Sequence, residues 1–440
     1  MNLIPPRLPP FHFPNLPSTW FIGHMARSLR EMQHLVQSQR CDLIIETRDA
    51  RLPTSSYNPA FDKILNSTGG KGITKRLVVY NKADLAQDCF QEPLRKAFQK
   101  YGDEQVIFTD STSDADVKLL LRTAIRLADR PLDGPTDRIS MLVAGMPNVG
   151  KSSLLNALRR VGVGKGKAAS TSSQPGHTRR LSTVIKISES PPVYINDTPG
   201  IMLPFLGRGI KGKEAALKLA LTGGIKESLF EGDTVAEYLL WRLRSRAEGR
   251  EEGYTEADLL SALALPPSTP LDSPQLFLEA LALRLSAMGR GGIPDTDFAG
   301  AWLIQAFRAG KLGRWTLDSL GRGGEAVDAA KLAEDEEADV PRRSYTGTLL
   351  RTVRKDEETG EAVKEEKLGA LIERKVDESV GKFFQTLTMP SVDDMSGHQA
   401  KKLTKVAQQK VRDVKRKGKE VAKVSGAGIS SARRRTYRRE

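Results

Sequence analysis

Residues 145–152 read Gly-Met-Pro-Asn-Val-Gly-Lys-Ser, a complete G-x-x-x-x-G-K-S octet. It follows the apolar run 139–144 and opens a stretch of helical periodicity at 152–159. A strand, a glycine-rich turn and a helix in that order make a phosphate cradle. The helix presents its positive end, and the backbone amides between Pro147 and Ser153, with those of Asn148, Val149 and Gly150 among them, face a β-phosphate. Lys151 is then placed to balance β/γ oxygens and the Ser152 hydroxyl to ligate Mg²⁺. Such an octet needs a largely parallel sheet behind it.

The surrounding sequence supplies one. Short β-type runs occur at 43–45, 77–80, 106–108, 139–144, 183–187 and 193–195. Helical patterns at 26–39, 92–101, 116–128 and 152–159 separate several of them. The alternation predicts a three-layer α/β domain over 20–204, after a Pro-rich leader at 1–19. From 205 to 320 strands vanish, and apolar residues recur at helical spacing in 235–243, 275–288 and 298–309, which predicts an all-α domain. Residues 321–398 are mixed in charge, with an acidic run at 334–339, and most of that stretch is expected to be poorly ordered. A basic tail fills 399–440, its first part (399–424) helical in pattern.

Three further motifs define the chemistry. Asp197-Thr-Pro-Gly200 follows the run 193–195; a carboxylate there holds Mg²⁺ and the Gly200 amide can meet a γ-phosphate. Between it and the octet lies Pro175-Gly-His-Thr178 in a Ser/Thr-rich loop. Thr178 is the candidate to complete the Mg²⁺ shell, and His177 reads as an incidental loop residue. Asn81-Lys82-Ala83-Asp84 follows the run 77–80. The Asp84 carboxylate can accept from both N1–H and the exocyclic amine of guanine, and a buried Asp84 left unpaired by adenine would discriminate strongly. Thr109-Asp110-Ser111 after the next strand is a supporting loop of generic composition. The base motif precedes the phosphate loop here, the reverse of the order in small GTPases. The chain therefore reads as a circularly permuted P-loop GTPase domain. The segment after Gly200 becomes the domain's exit, so a switch there leads straight into the helical region.

With these motifs, the segments Trp20-Phe-Ile-Gly-His-Met-Ala-Arg27 and Asp49-Ala-Arg-Leu-Pro-Thr-Ser-Ser-Tyr-Asn-Pro59 resemble the YlqF-type ribosome-assembly GTPases. The likeness continues through Gly224-Ile-Lys226, Val235-Ala-Glu-Tyr-Leu239 and Gly310-Lys-Leu-Gly-Arg314, covering roughly 20–318. It implies a monomeric GTPase that binds GTP and GDP, hydrolyses GTP slowly, and acts in maturation of the large ribosomal subunit with stimulation by that subunit and K⁺. It also implies that the histidine of the Gly-His-Met segment, His24, is catalytic. Ile201 stands where many GTPases carry a water-orienting Gln. Capping or packing of the first helix is the alternative role for His24. Asn148 is implied as a K⁺ ligand, against a purely loop-shaping role. Ile22 departs from the family, whose members often carry Pro there. The long basic extension is most similar to the mitochondrial member, which implies the mitochondrial matrix, with peripheral contact to an anionic inner membrane; a nuclear or nucleolar relative and a non-catalytic RNA-binding scaffold are the alternatives.

Composition narrows the partners. At 39% hydrophobic and 28% charged residues the chain reads as globular. Two cysteines exclude a disulfide framework or a four-cysteine zinc site. Residues 401–440 hold 8 Lys and 7 Arg against three acids, a net +12 of the chain's +14. The body is nearly neutral, and the tail carries the footprint of a polyanion partner, nucleic acid or anionic membrane.

Overall fold

The computed structural model describes residues 11–16, 20, 23–37, 41–66, 75–128, 138–164, 166, 184–203, 205–248, 255–320 and 358–388. The expected helix at 399–424 and the loop carrying His177 and Thr178 lie outside them.

Six strands form one sheet in the order β3-β2-β1-β4-β6-β5, with β1 (Leu43–Asp49), β2 (Lys75–Asn81), β3 (Val106–Thr109), β4 (Ile139–Gly145), β5 (Ile185–Ser188) and β6 (Val193–Asp197). All neighbours are parallel except β5, which runs antiparallel to β6 at the edge. Helices α1 (Gly23–Gln37), α2 (Pro59–Asn66), α3 (Gln91–Gly102), α4 (Asp114–Ala128) and α5 (Lys151–Val163) cover the two faces. β1 runs four residues past its apolar start, and every residue in it is buried. The polar half is tolerable because its charges are paired: Arg48 donates to Glu46 at 2.7 Å and to Glu104 at 2.9 Å. Residues of that kind hide a strand from a hydrophobicity reading, and the extension carries Asp49 to the carboxyl edge of the sheet.

The expected helical domain is present as α6 (Gly209–Leu221), α7 (Thr234–Glu248), α8 (Glu256–Ala262), α9 (Pro274–Arg284) and α10 (Thr296–Arg308). Side chains cap three of them: Thr255 in a capping box with Asp258, Ser273 ahead of Pro274, and Asp295 accepting from the Phe298 amide. Leu217, Leu239, Phe277, Leu281, Leu303 and Phe307 are buried together in its core. After α10 the chain returns to the sheet domain. The Trp315 amide donates to Leu85 O and the Leu317 amide to Arg51 O, both at 2.8 Å. The Asp318 carboxylate accepts from the amides of Thr54 and Ser55 at 2.8 Å each.

Two segments outside the expected domains are built into the fold. In the leader, Phe11, Phe13 and Leu16 pack on the helical core, and the Phe11 ring lies 5.4 Å from Tyr238 and 5.8 Å from Trp241. Trp20 Nε1 donates to Leu203 O at 2.7 Å, just beyond Gly200. The second segment lies within 321–398, most of which reads as poorly ordered, and is an exception to that reading: α11 (Glu358–Thr388), a 31-residue helix. Val376 and Val380 are fully buried, and Ile372, Phe383 and Phe384 are partly buried, against Leu94, Ala97 and Phe98 of α3. Their spacing of four, four, three and one forms a helical stripe that the high local charge masks. Exposed pairs Lys96–Glu373 and Lys100–Asp377 align the two helices. Val380→Asp buries a carboxylate without a partner and should detach α11, at a cost of about 3 kcal/mol or more. Hydrogen exchange should then show fast amides over 370–388 with the strands still protected; protected α11 amides would contradict this docking.

Candidate functional site

The motifs meet at the carboxyl ends of β1, β2, β4 and β6, where ligands bind in open α/β sheets. Parallel pairing sets Asn81 beside both Asp49 and Thr109, and Val143 beside Asp197. The loop after β4 then turns back over this edge. Gly150 has φ +95°, and a Cβ there would collide with Asn81 Nδ2, so only glycine lets the two loops close.

Two bonds join the base loop to the phosphate loop. Asn81 Nδ2 donates to Val149 O at 2.9 Å, and Lys82 Nζ donates to Asn148 O at 2.5 Å. Lys82 sits in the left-handed region at φ 61°. Its ammonium also pairs with Asp49 Oδ2 at 3.0 Å, and Arg51 binds the same carboxylate from the other side at 2.8 and 2.9 Å. Burial raises the Asp49 pKa, but Arg51 and Lys82 overcome that and hold it well below the usual carboxylate range. Asp49 is thus an ionised anchor for the base-loop lysine.

At the phosphate end Lys151 is buried and donates to Met146 O at 2.6 Å. Burial pushes its pKa down; Asp197 pulls it partly back and Lys82 pushes it further, to about 8. Ser152 Oγ donates to Asp197 Oδ2 at 2.9 Å, while Asp197 Oδ1 is buried with no hydrogen-bond partner. Burial raises the Asp197 pKa against the pull of Lys151. An orphaned buried carboxylate oxygen beside a serine hydroxyl fits a divalent cation. No group of three or more His, Cys, Asp or Glu able to hold a metal occurs among the described residues. Ser152 and Asp197 together offer a hydroxyl and a carboxylate, oxygen donors of the kind a hard divalent cation takes. Gly200 lies against Pro147 of the phosphate loop, and the Ile201 amide donates to Gly145 O at 3.1 Å.

On the base side, Asp84 is exposed, so the burial assumed in reading guanine selectivity must come with the purine itself. Its pKa is raised by partial burial of the carboxyl and by Asp110 nearby. Asp110 is committed to its own turn, accepting from the Thr112 amide at 2.7 Å. Thr109 is buried at the end of β3 and Ser111 is half-buried beside it. Asn81 Oδ1, Thr47 Oγ1 and Thr109 Oγ1 are buried without hydrogen-bond partners. Ser153 is exposed on the first turn of α5.

Asn148 has φ 58° and its Nδ2 donates to Gly223 O of the helical domain at 2.8 Å. His24 is the second residue of α1, and its side chain lies outside the described residues, as does Thr178. The next residue, Met25, is buried in one cluster with Met146, Val149 and Met202, which brings the start of α1 against the phosphate loop. Ile201 is fully buried against Met32 and Val36 of α1. Sequence reasoning missed Asp49 and Arg51 as supports, although the Asp-Ala-Arg segment carried part of the family likeness. It missed Gly223, the partner of the Asn148 side chain, altogether, since it belongs to no nucleotide motif.

Comparison with known proteins adds relatives to this geometry. A family model described as a 50S ribosome-binding GTPase matches residues 140–236. The chain is 34% identical over 313 residues to "Mitochondrial ribosome-associated GTPase 1" of Mus musculus, covering 68% of this chain and 89% of that one. It is 34% identical over 326 residues to "Mitochondrial GTPase 1" of Schizosaccharomyces pombe, with 69% and 90% covered. "Ribosome biogenesis GTPase A" of Bacillus cereus is 30% identical over 323 residues, with 72% and 98% covered. The GNP-bound structure of YlqF from T. maritima aligns at a TM-score of 0.43 and 22% identity, covering 67% of this chain and 97% of that one.

Proposed function

The chain belongs to the YlqF-type family of ribosome-assembly GTPases, and from that premise we propose that it binds GTP and GDP across the joined base and phosphate loops and works as a mitochondrial assembly factor for the large ribosomal subunit. One observation carries the nucleotide reading: Asn81 and Lys82 bond directly to Val149 and Asn148, so base and phosphate recognition share one edge although their order in the chain is reversed.

In this reading the backbone amides of 148–153 and the Lys151 ammonium hold the phosphates, and the Asp84 carboxylate accepts from guanine. Ser152 and Asp197 would hold Mg²⁺, with Thr178 added from the switch loop. Bound Mg²⁺ supplies charge neutralisation for β- and γ-oxygens. Asn148 is the candidate K⁺ ligand. Ile201 has no polar atom in its side chain to orient water, so the attacking water needs another partner. His24 fills that role, supported by the seat of Met25 beside the phosphate loop. The switch segment 197–203 leads through residues 205–208 into α6, so its ordering would reorient the helical domain.

Purified protein should hydrolyse GTP slowly, and faster with K⁺ and mitochondrial large subunits. His24→Ala should lose at least about tenfold in turnover while keeping GTP affinity, as general acid–base and water-positioning groups contribute on the order of 10²-fold or more. Turnover by His24→Ala at the wild-type rate would remove that residue from catalysis. Subunit maturation that proceeds normally with Lys151→Ala would favour a scaffold over a switch. No described helix is long and apolar enough to cross a membrane. Contact of the tail with the inner membrane is checked by flotation with anionic liposomes across a salt series, and the compartment by a fluorescent fusion with and without residues 1–19.

A further inference from the structure

The phosphate loop is gripped twice at one residue, and both grips lead to the same end of one helix in the other domain. Asn148 offers its backbone carbonyl to Lys82 at 2.5 Å and its side-chain Nδ2 to Gly223 O at 2.8 Å. Gly223 lies in the turn after α6 at φ +81°. Arg308, the last residue of α10, clasps that turn: Nε donates to Leu221 O at 2.8 Å, Nη2 to Ala220 O at 2.6 Å, and Nη1 pairs with Glu227 at 2.7 Å. These carbonyls end α6, and Ala220 O also accepts from the Gly223 amide at 2.9 Å, so Arg308 and the Gly223 turn share it. The neighbouring residue Phe307 lies beneath Arg51, its ring centre 5.6 Å from the guanidinium. Arg51 holds Asp49, Asp49 holds Lys82, and Lys82 holds the Asn148 carbonyl.

Consecutive residues of α10 therefore reach the side chain and the carbonyl of Asn148 by separate routes. The gripped Asn148 carbonyl belongs to the same peptide unit as the Val149 amide, one of the groups expected to face the phosphate. We infer that Gly223 and Arg308 are positioning residues through which the helical domain sets the geometry of the phosphate loop, independently of the switch segment 197–203. This rests on the nucleotide-site reading and adds a second line of coupling to it. Whatever docks on the helical domain and shifts α10 then changes phosphate affinity, and nucleotide must change the affinity for that partner by the same factor. The coupling does not wait for a γ-phosphate, so GDP experiences it too.

The test is a double-mutant cycle on the full chain, read by the affinity of a fluorescent GDP analogue. Arg308→Ala should weaken binding roughly tenfold, the scale of a lost charged hydrogen bond that organises the loop. Asn148→Gly keeps the positive φ and removes the side chain. In that background Arg308→Ala should change affinity by less than about twofold, because the link it acts through is gone. A purely structural role would produce equal fold-changes in both backgrounds and overturn the inference, as would an unchanged affinity for Arg308→Ala alone. Should Arg308→Ala fail to melt cooperatively, Gly223→Ala replaces it in the cycle, since its Cβ would sit 2.9 Å from Asn148 Nδ2. A wild-type chain that binds no guanine nucleotide overturns the site reading and this inference together; tight wild-type binding with additive effects overturns the inference alone.

Discussion

Lys151→Met should make the nucleotide-free protein more stable while weakening guanine-nucleotide binding by about 100-fold or more. Lys151 is 7% exposed, and its pKa is pushed down to about 8, against about 10.4 for a free lysine. Between about pH 8 and 10 the unfolded chain therefore binds more protons than the folded one, and stability rises with pH across that window. Below pH 8 both forms are protonated, and the folded protein bears the full penalty, at most about 3 kcal/mol by linkage. Methionine keeps most of the stem and removes the charge, so a gain of about 1–2 kcal/mol at pH 7 is expected, less the loss of the bond to Met146 O. Phosphate then loses its principal cationic partner. The same pKa predicts that wild-type affinity for GDP falls as pH rises above 8, because binding requires the protonated form. Scanning fluorimetry of the two proteins, with titrations at pH 7 and 9, checks all three results. A Lys151→Met variant that melts lower than wild type would show that the lysine supports the apo fold instead of straining it.

Asp49→Asn has the second large effect, in the opposite direction on stability. The carboxylate is the shared partner of Arg51 and Lys82, with Arg51 almost wholly buried. Removing its charge leaves two cations facing each other, and breaking a buried pair in this way costs about 3–5 kcal/mol. Lys82 also loses the group that aims it at Asn148, so affinity for GDP should fall about tenfold or more. Because Asp49 titrates well below the usual range, its contribution is present in full above the ordinary carboxylate range. It declines progressively as pH falls from that range through its own depressed pKa, so wild type should keep most of its advantage over Asp49→Asn at pH 5 and lose it only in stronger acid. Chemical denaturation at pH 7 and pH 5 measures this, and a difference that vanishes by pH 5 would contradict an ionised Asp49.

The parts of this protein legible in the sequence are those governed by local patterns. The apolar cores of the strands and the glycines of the phosphate loop announce themselves by periodicity and spacing. So does the reversed motif order, which the sheet order then accommodates with β1 and β4 as central neighbours. What escaped depends on partners distant in sequence. The polar half of β1 is a strand because Glu104 and Arg76 neutralise Arg48 and Glu46. α11 is ordered because α3 presents Phe98 to it, and nothing within 358–388 announces that neighbour. The leader packs because Tyr238 and Trp241 receive its phenylalanines. In the candidate site, the motif residues can be proposed from their type and spacing, whereas Asp49 and Gly223 touch motif residues from outside any nucleotide motif and Arg308 clasps the turn that carries Gly223, which only geometry reveals.

The central claim is that base and phosphate loops, reversed in sequence, form one guanine-nucleotide site. Calorimetric titration of wild type and Asp84→Asn with GDP, ADP and xanthosine diphosphate tests it most directly. Asparagine at 84 offers an N–H where the carboxylate accepted one, which suits the xanthine carbonyl and not the guanine amine. Wild type should bind GDP at least about 100-fold tighter than ADP, and Asp84→Asn should lose GDP while gaining xanthosine diphosphate. Equal binding of ADP and GDP by wild type, or unchanged GDP affinity in Asp84→Asn, would contradict the account.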